Sequence, residues 1–129
     1  MDVSRAYDYD GNKIVQEAFL QKFTDFFVTI IGVVKVVLPD DTEGIQHQRF
    51  LVELYGSNQT VLIVHNLEYG KRLHLKTGDT FKITGEYVWN SLGGLIHLTH
   101  QDPFGRFEEG QANLVREVHE KPEPTFKAN

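Results

Sequence analysis

The sequence contains no cysteine, which excludes disulfides, thiol catalysis and every zinc or iron–sulfur site built on thiolates. It also lacks an excess of basic residues, because 13 Lys and Arg stand against 18 Asp and Glu, for a net charge of -5. Proteins that coat nucleic acid broadly depend on many cationic contacts to phosphate. The charge balance therefore disfavours that class and leaves room only for a small local basic site.

Long apolar runs are missing as well. The longest, Phe26–Leu38, is shorter than the roughly 18 residues of a membrane-spanning helix, and Lys35 interrupts it. The first residues, Met1 to Asn12, are acidic and lack the apolar core of a signal peptide. We therefore expect no membrane association and a cytoplasmic location, or an exported protein if a signal peptide has been removed.

The length of 129 residues suits one domain. We predict a flexible N-terminus over residues 1–11 and a single OB-like domain over residues 12–106. Residues 107–129 are polar and include Pro122 and Pro124. This composition predicts an extended or disordered tail.

The domain is predicted to begin with a helix over residues 13–25. Val15, Phe19 and Phe23 recur every four residues and form one apolar face, which in a helix of this kind usually packs on the core. Asn12 stands directly before this pattern and is the predicted N-cap.

Five strands are predicted after the helix from alternating or continuous apolar patterns. They are Phe26–Leu38, His47–Tyr55, Thr60–His65, Asp79–Trp89 and Leu95–Thr99. Gly32 inside the long first strand predicts a bulge or a sharp bend. A short segment links the third and fourth strands, and Leu75–Gly85 resembles the entry to the fourth strand of many OB-folds. The predicted class is all-β with one N-terminal helix, forming a five-stranded Greek-key, OB-fold-like barrel; another small barrel or an open meander is the alternative.

Polar residues are expected to converge at one end of this barrel. In an OB barrel the third and fifth strands are parallel neighbours, so their C-terminal ends meet. A hairpin about Gly56–Asn58 brings the start of the second strand to the same end and places Arg49 roughly opposite His65. The residues expected to lie near one another are His47, Arg49, His65, Asn66, His97, His100 and Asp102.

This cluster offers two kinds of chemistry. Neutral histidine ligates metals or acts as a general base, so His65, His97 and His100 are candidates for catalysis and for a divalent metal site. Asp102 would orient a histidine. His97 and His100 are three residues apart, and they share a site only if the strand bends or ends between them.

The second kind is anion binding, in which arginine holds a phosphate in a bidentate grip. The candidate ligand-binding residues are His47, Arg49, Asn66, Trp89, Asn90 and Arg106. Trp89 is included because an exposed aromatic ring on an OB surface can stack a base, although such rings more often cap the core. A single histidine at a strand end is usually an ordinary polar residue, and we assign that reading to His74 and His119.

The chain also resembles a family of small bacterial proteins known only as a domain of unknown function. The resemblance covers Phe27 to Arg106, and the segments that carry it are Leu38–Asp41, His47–Phe50, His65-Asn66, Gly78-Asp79, Gly85–Asn90 and Gly93–Arg106. Members tend to have His where Phe107 stands here, and many have an export signal. The resemblance implies that the polar positions at the strand ends are family signature positions, and it implies no known activity.

These observations lead to three hypotheses. The first is an OB-fold module that binds an oligonucleotide or another phosphate-bearing ligand at the His/Arg cluster, with single-stranded nucleic acid or a phosphate-bearing small molecule as partner. The second is an enzyme, a metal- or His-dependent phosphodiesterase or nuclease that uses the same cluster. The third is a structural or interaction protein with incidental histidines. We expect a monomer or a homodimer.

Overall fold

The computed structural model of the chain describes residues 10–106 and 108–115, which form one helix and six strands. In chain order these are α1 Asp10–Gln21, β1 Phe26–Asp41, β2 His47–Leu54, β3 Thr60–Asn66, β4 Thr80–Val88, β5 Leu95–His97 and β6 Gln111–Leu114. The five strands expected from the sequence are all present. The sixth strand, β6, was not predicted from the sequence and lies in the stretch assigned to the tail.

The strands form a single mixed sheet that closes on itself. Its order is β1-β2-β3-β5-β4-β6, and β1 pairs in addition with β4, so five of the strands make a ring. The predicted parallel contact between β3 and β5 is confirmed, and it pairs Leu62 with Leu95 and Ile63 with Ile96. This short contact leaves the ring short of a formal barrel. The expected class, mostly β with an N-terminal helix and a five-strand ring, is confirmed.

The long strand β1 serves two neighbours. It pairs with β4 from Phe26 to Val33 and with β2 from Gly32 to Asp41. The register irregularities fall after Val34 and after Leu38, so the bulge predicted at Gly32 is displaced along the strand. Gly32 instead allows close packing, because a Cβ there would lie 2.7 Å from a methyl group of Val52.

The core lies inside the ring, on the inward face of each strand. Alternation along β2 buries Phe50, Val52 and Leu54, as the sequence pattern predicts. On β4 the buried face includes Ile83 and Tyr87. Side chains at the alternate positions face outward, so only polar residues on the same face of the sheet can lie close together.

The helix differs from its prediction at both ends. It begins at Asp10 and ends at Gln21, where Lys22 adopts a left-handed φ of 63°. Asn12 is therefore inside α1 and is not its N-cap. Phe23 lies beyond the helix and is 60% exposed, so it does not share the buried face of Val15.

Asn12 attaches α1 to the ring. Its amide group donates to the carbonyl of Ile31 at 3.0 Å and to that of Tyr55 at 3.3 Å, and its Oδ1 accepts the Ile31 amide at 2.8 Å. An asparagine side chain presents a donor and an acceptor together, so it can satisfy both backbone groups of one strand residue. The side chain is thus a long-range tie.

None of the helical segments among residues 10–106 and 108–115 is long and apolar enough to span a membrane.

Candidate functional site

A cluster of buried polar side chains occupies the end of the ring where β3 stops. We call it the polar cluster, and it consists of Gln48, His65, Thr99 and His100, all buried. Gln48 and His65 are paired across β2 and β3, and both face inward. Gln48 bonds both backbone groups of Leu73, at 2.7 and 2.9 Å, and so ties the β3–β4 connection to the cluster.

His65 is the centre of the polar cluster. Its Nε2 lies 2.8 Å from the carbonyl oxygen of Lys71, which can only accept, so Nε2 carries the ring proton. Its Nδ1 then accepts the hydroxyl proton of Thr99 across 2.7 Å. Burial lowers the pKa of His65, and the nearby His100 and His47 lower it further, against the opposing effect of the Lys71 carbonyl. His65 is therefore a neutral histidine with both ring nitrogens in use.

The chain from Thr99 through His65 to the Lys71 carbonyl has the order of a nucleophile, a base and an orienting group. Thr99, however, is only 1% exposed, so its hydroxyl has no open approach for a substrate. Two glycines close in on it: a Cβ at Gly85 would lie 2.9 Å from the Thr99 methyl, and a Cβ at Gly110 2.8 Å from its Cα. The pair therefore stabilises the end of the ring.

His97 lies on the other side of the sheet from His65. It is the neighbour of Glu86 on β4, and its Nε2 lies 2.7 Å from the Glu86 carboxylate. Because Ile96 faces the core, His97 faces outward. The strand does end here, as a shared site would require, and Leu98 turns the chain with a φ of 57°. That turn takes His100 into the interior and leaves His97 outside.

The three histidines named as metal ligands do not form one cluster. Within residues 10–106 and 108–115 there is no group of three or more His, Cys, Asp or Glu side chains that could hold a metal ion. Metal sites of this class need three or four such ligands around one point.

Asp102 holds the turn that follows the polar cluster. Its carboxylate accepts the amides of Phe104, at 2.9 Å, and of Arg106, and the Arg106 guanidinium lies 3.4 Å away. Burial opposes ionisation of this carboxyl, but these hydrogen bonds and the Arg106 charge outweigh it and lower its pKa. Asp102 is thus a charged group that fixes local backbone.

Arg49 faces away from the polar cluster. The β2–β3 hairpin pairs Gln48 with His65 and Arg49 with Val64, so the predicted pairing of Arg49 with His65 is wrong by one residue. The reason is the loop length, because Leu54 bonds to Gln59 and encloses four residues, where the prediction assumed a three-residue turn. A shift of one residue moves a side chain to the opposite face.

Arg49 borders a second, smaller groove of about 260 Å³ that also includes Asp40, Arg72 and His74. Its guanidinium donates to the carbonyl of Pro39 at 3.1 and 3.2 Å. Arg72 donates to the Asp40 carboxylate at 2.7 Å. Hydrogen bonds from Arg72 and Gln46, with the charge of Arg49, lower the pKa of Asp40. Arg72 is therefore paired with the Asp40 carboxylate, whereas the Arg49 guanidinium is bonded to a backbone carbonyl.

His47 and Asn66 are paired at the ends of β2 and β3. The Oδ1 of Asn66 accepts the amide of Glu68 at 2.6 Å, so the side chain caps the turn that follows. His47 Nδ1 lies 4.0 Å from the Asp41 carboxylate. Both residues therefore border the polar cluster, and the nearby His47 contributes to the lowered pKa of His65.

Trp89 and Asn90 lie at the far end of β3. Asn90 Oδ1 accepts the amide of Gly94 at 2.9 Å. The carbonyl oxygen of Gly94 accepts the amide of Leu62, near the start of β3. The strand rises about 3.3 Å per residue, and Leu62 lies three residues before His65, so this contact is roughly 10 Å along the strand from His65. Trp89 stacks on Phe19 and donates to its carbonyl at 3.0 Å, so it anchors α1. The structure does not bring these two predicted ligand residues to the histidines.

The residues that form the walls of the site were not predicted from the sequence. An open groove of about 560 Å³ lies between the turn after β3 and the β6 segment, and we call it the end groove. Its lining includes the polar cluster members His65, Thr99 and His100, with Tyr69, Lys71, Leu73, Gln101, and residues 109–113. The one sequence signal for the first wall is Gly70, which permits close approach: a Cβ there would lie 2.8 Å from the His65 ring. The β6 segment, which forms the other wall, has no apolar run from which a strand could have been predicted.

Residues 3–120 match a protein family described as "Protein of unknown function (DUF3465)". The chain belongs to this family. No curated protein and no solved structure matches it. The range of the match extends past β6, so the DUF3465 domain includes both walls of the end groove.

The end groove brings the polar cluster members His65, Thr99 and His100 to an open surface of the DUF3465 domain. Its floor is polar, and the hydrogen bonds of His65 are already complete. Its rim has the exposed side chain of Lys71 on one wall and that of Asn113 on the other. Such a surface can orient a ligand through polar contacts without changing its own internal bonds.

Proposed function

We propose that this DUF3465 protein is an OB-fold-like binding module for an oligonucleotide or another phosphate-bearing ligand, held in the end groove. One observation carries the proposal: a preformed groove of about 560 Å³ lies where β3 separates from β5, and the His65 and Thr99 side chains in its floor are already hydrogen-bonded. OB-folds bind oligonucleotides on the face of strands 2 and 3 and on adjoining loops. Of β2 and β3, only His65 lines the end groove, and its other walls come from the β3–β4 connection, the segment after β5 and residues 109–113.

The charge around the groove supports a ligand with few phosphates. Lys71 lies on the rim, and Arg106 extends from the turn after His100 with 58% of its side chain exposed. Glu109 lines the opposite wall. The net charge of -5 works against long-range attraction of a polyanion, so recognition must be local.

The test is a binding titration with matched lysine variants. Labelled single-stranded oligonucleotides of about 12 nucleotides are titrated by fluorescence anisotropy at low salt. Lys71→Ala is expected to weaken binding by about two- to fivefold, the worth of one exposed ion pair. Lys76→Ala is the control, because Lys76 is exposed on the same β3–β4 connection but does not line the groove.

Two outcomes would contradict the proposal. One is the absence of binding to oligonucleotides, mononucleotides and inorganic phosphate, which would favour the structural or interaction role. The other is an equal effect of Lys71→Ala and Lys76→Ala, which would place the contact outside the end groove.

The phosphodiesterase alternative has less support. Its proposed ligands His65 and His97 face opposite sides of the sheet, and His65 uses both ring nitrogens in structural bonds. Cleavage of the labelled oligonucleotide that stops on addition of a chelator would favour it over simple binding.

A further inference from the structure

An exposed aromatic pair stands at the mouth of the end groove. Phe104 is 65% exposed, and its ring meets that of Tyr69 edge to face, at 6.2 Å and 88°. Tyr69, itself 38% exposed, also packs on His100 at 5.6 Å. The rings thus lead from solvent to the polar cluster. Neither residue was a candidate from the sequence.

The position of Phe104 is fixed although its side chain is not buried. The turn that carries it is held by the Asp102 carboxylate, which bonds the amides of Phe104 and Arg106 and has 0% of its own side chain exposed. The Gly105 amide adds a bond to the Asp102 carbonyl at 3.2 Å. A buried carboxylate is costly unless its bonds are complete. Here those bonds order an apolar ring in water, an arrangement that serves recognition better than stability.

A positive charge accompanies the ring. The guanidinium carbon of Arg106 lies 4.8 Å from the centre of the Phe104 ring. Planar guanidinium groups stack on aromatic faces and also pair with phosphates. An aromatic face next to a cation is the combination by which proteins hold single-stranded nucleic acid, because each nucleotide offers a flat base and a charged phosphate.

We propose that Phe104 and Tyr69 form a base-stacking site for single-stranded nucleic acid at the mouth of the end groove. This inference rests on the proposed function and names its ligand class. A base stacks on the exposed part of Phe104, and the adjoining phosphates lie toward Arg106 and Lys71. A duplex does not fit the site, because its bases are already stacked on one another.

The experiment compares oligonucleotides with and without bases. An oligothymidylate of about 12 nucleotides and an abasic strand of the same length are titrated against the full chain and against Phe104→Ala. The variant is expected to raise the Kd for the base-bearing strand at least about fivefold, the lower end of one stacking contact. It should leave the Kd for the abasic strand unchanged. Oligothymidylate should also bind the full chain more tightly than its duplex with oligoadenylate.

A matched control exists elsewhere on the surface. Phe23 is 60% exposed, follows α1 and does not line the end groove. Phe23→Ala should leave both affinities unchanged. A second variant, Phe104→Leu, keeps an apolar side chain without the aromatic face and should weaken binding as alanine does. Thermal unfolding of each variant checks that the fold is intact.

Three results would overturn the inference, and they separate it from the proposed function. Equal binding of base-bearing and abasic strands, unaffected by Phe104→Ala, removes the stacking site but keeps the phosphate-binding module. Full retention of affinity by Phe104→Leu shows a simple apolar contact in place of stacking. Failure of every oligonucleotide, mononucleotide and phosphate to bind removes both.

Discussion

The hydrogen bonds of His65 require an uncharged ring, so protonation of this residue makes the stability of the fold depend on pH. The Lys71 carbonyl accepts a hydrogen bond from Nε2, and Nδ1 accepts a hydrogen bond from the Thr99 hydroxyl. Protonation of Nδ1 would put two donors face to face unless the hydroxyl rotated. It would also place a charge in a buried site beside His100 and His47.

We predict that stability falls as the solution becomes acidic. The pKa of His65 is lowered in the folded state, so the stabilising contribution is complete above the unfolded value near 6.5 and is lost as pH falls from there through the folded pKa. Denaturant unfolding between about pH 8 and pH 5 measures this loss. His65→Gln should flatten this part of the profile, at a cost in stability at neutral pH.

The exposed His74 provides the control for this prediction. His74→Gln should keep the pH dependence of the full chain. If both variants retain the same slope below about pH 6.5, the acid sensitivity comes from groups other than His65.

At the scale of elements, Asn12 is the polar side chain of α1 that bonds the backbone of the ring, beside the buried Val15 and Ala18 and the contact of Trp89 with Phe19. Asn12 makes three hydrogen bonds to the backbone of Ile31 and Tyr55, and no comparable polar tie from the helix reaches those residues among the bonds of the described chain. Removing the Asn12 side-chain amide would leave the buried backbone amide and carbonyl of Ile31 without these hydrogen-bond partners.

We predict that Asn12→Ala destabilises the protein by about 2–4 kcal/mol and loosens α1. Trp89 reports on this, because it is the single tryptophan and both stacks on Phe19 and donates to its carbonyl. Its emission should shift to the red as the helix separates. Lys13→Ala, an exposed change on the same helix, should leave the emission and the stability unchanged. An unshifted spectrum in Asn12→Ala would show that apolar packing alone holds α1.

Much of the element plan could be predicted from the sequence, and the exceptions have physical reasons. Strands β1 to β5 have the alternating or continuous apolar patterns that burial on one face requires. The short β6 alternates exposed and half-exposed positions and has no buried one, so its place depends on β4 and not on its own composition. Asn12 has the local pattern of an N-cap, and only the tertiary contact with Ile31 decides otherwise.

The candidate site could be predicted only in part. The parallel contact of β3 with β5 brings His65 and His100 to the same groove, as expected from the topology, whereas Thr99, which bonds His65, was not a candidate. The face on which Arg49 lies depends on the four-residue loop of the β2–β3 hairpin, and the separation of His97 from His100 depends on the turn at Leu98. Apolar patterns do not determine strand register to a single residue. The end groove needs β6 and was therefore out of reach.

At the scale of the whole molecule, an acidic protein with a small cationic rim should bind nucleic acid with a shallow dependence on salt. Lys71 and Arg106 are the cations placed at the end groove and its mouth. Two phosphate contacts to a single strand give a slope of about -1.4 in a plot of log affinity against log salt.

We predict that affinity for a single-stranded oligonucleotide falls about sevenfold between roughly 50 and 200 mM salt. Anisotropy titrations at several salt concentrations measure the slope. Lys71→Ala should reduce its magnitude by about half, whereas Lys76→Ala should not change it. A slope steeper than about -3 would indicate broad electrostatic coating, which would place the binding surface beyond the end groove.

The division of β1 between two partners has a consequence for the time course of synthesis. The second half of β1 meets β2 across the next turn, but Phe26–Val33 pairs with β4, which ends only at Val88. At about 5–20 residues per second, β4 is completed roughly 3 to 11 seconds after that half of β1. For those seconds Val28 and Ile30 have no strand to cover them on the growing chain. Ring closure is therefore an event that follows translation of the fourth strand.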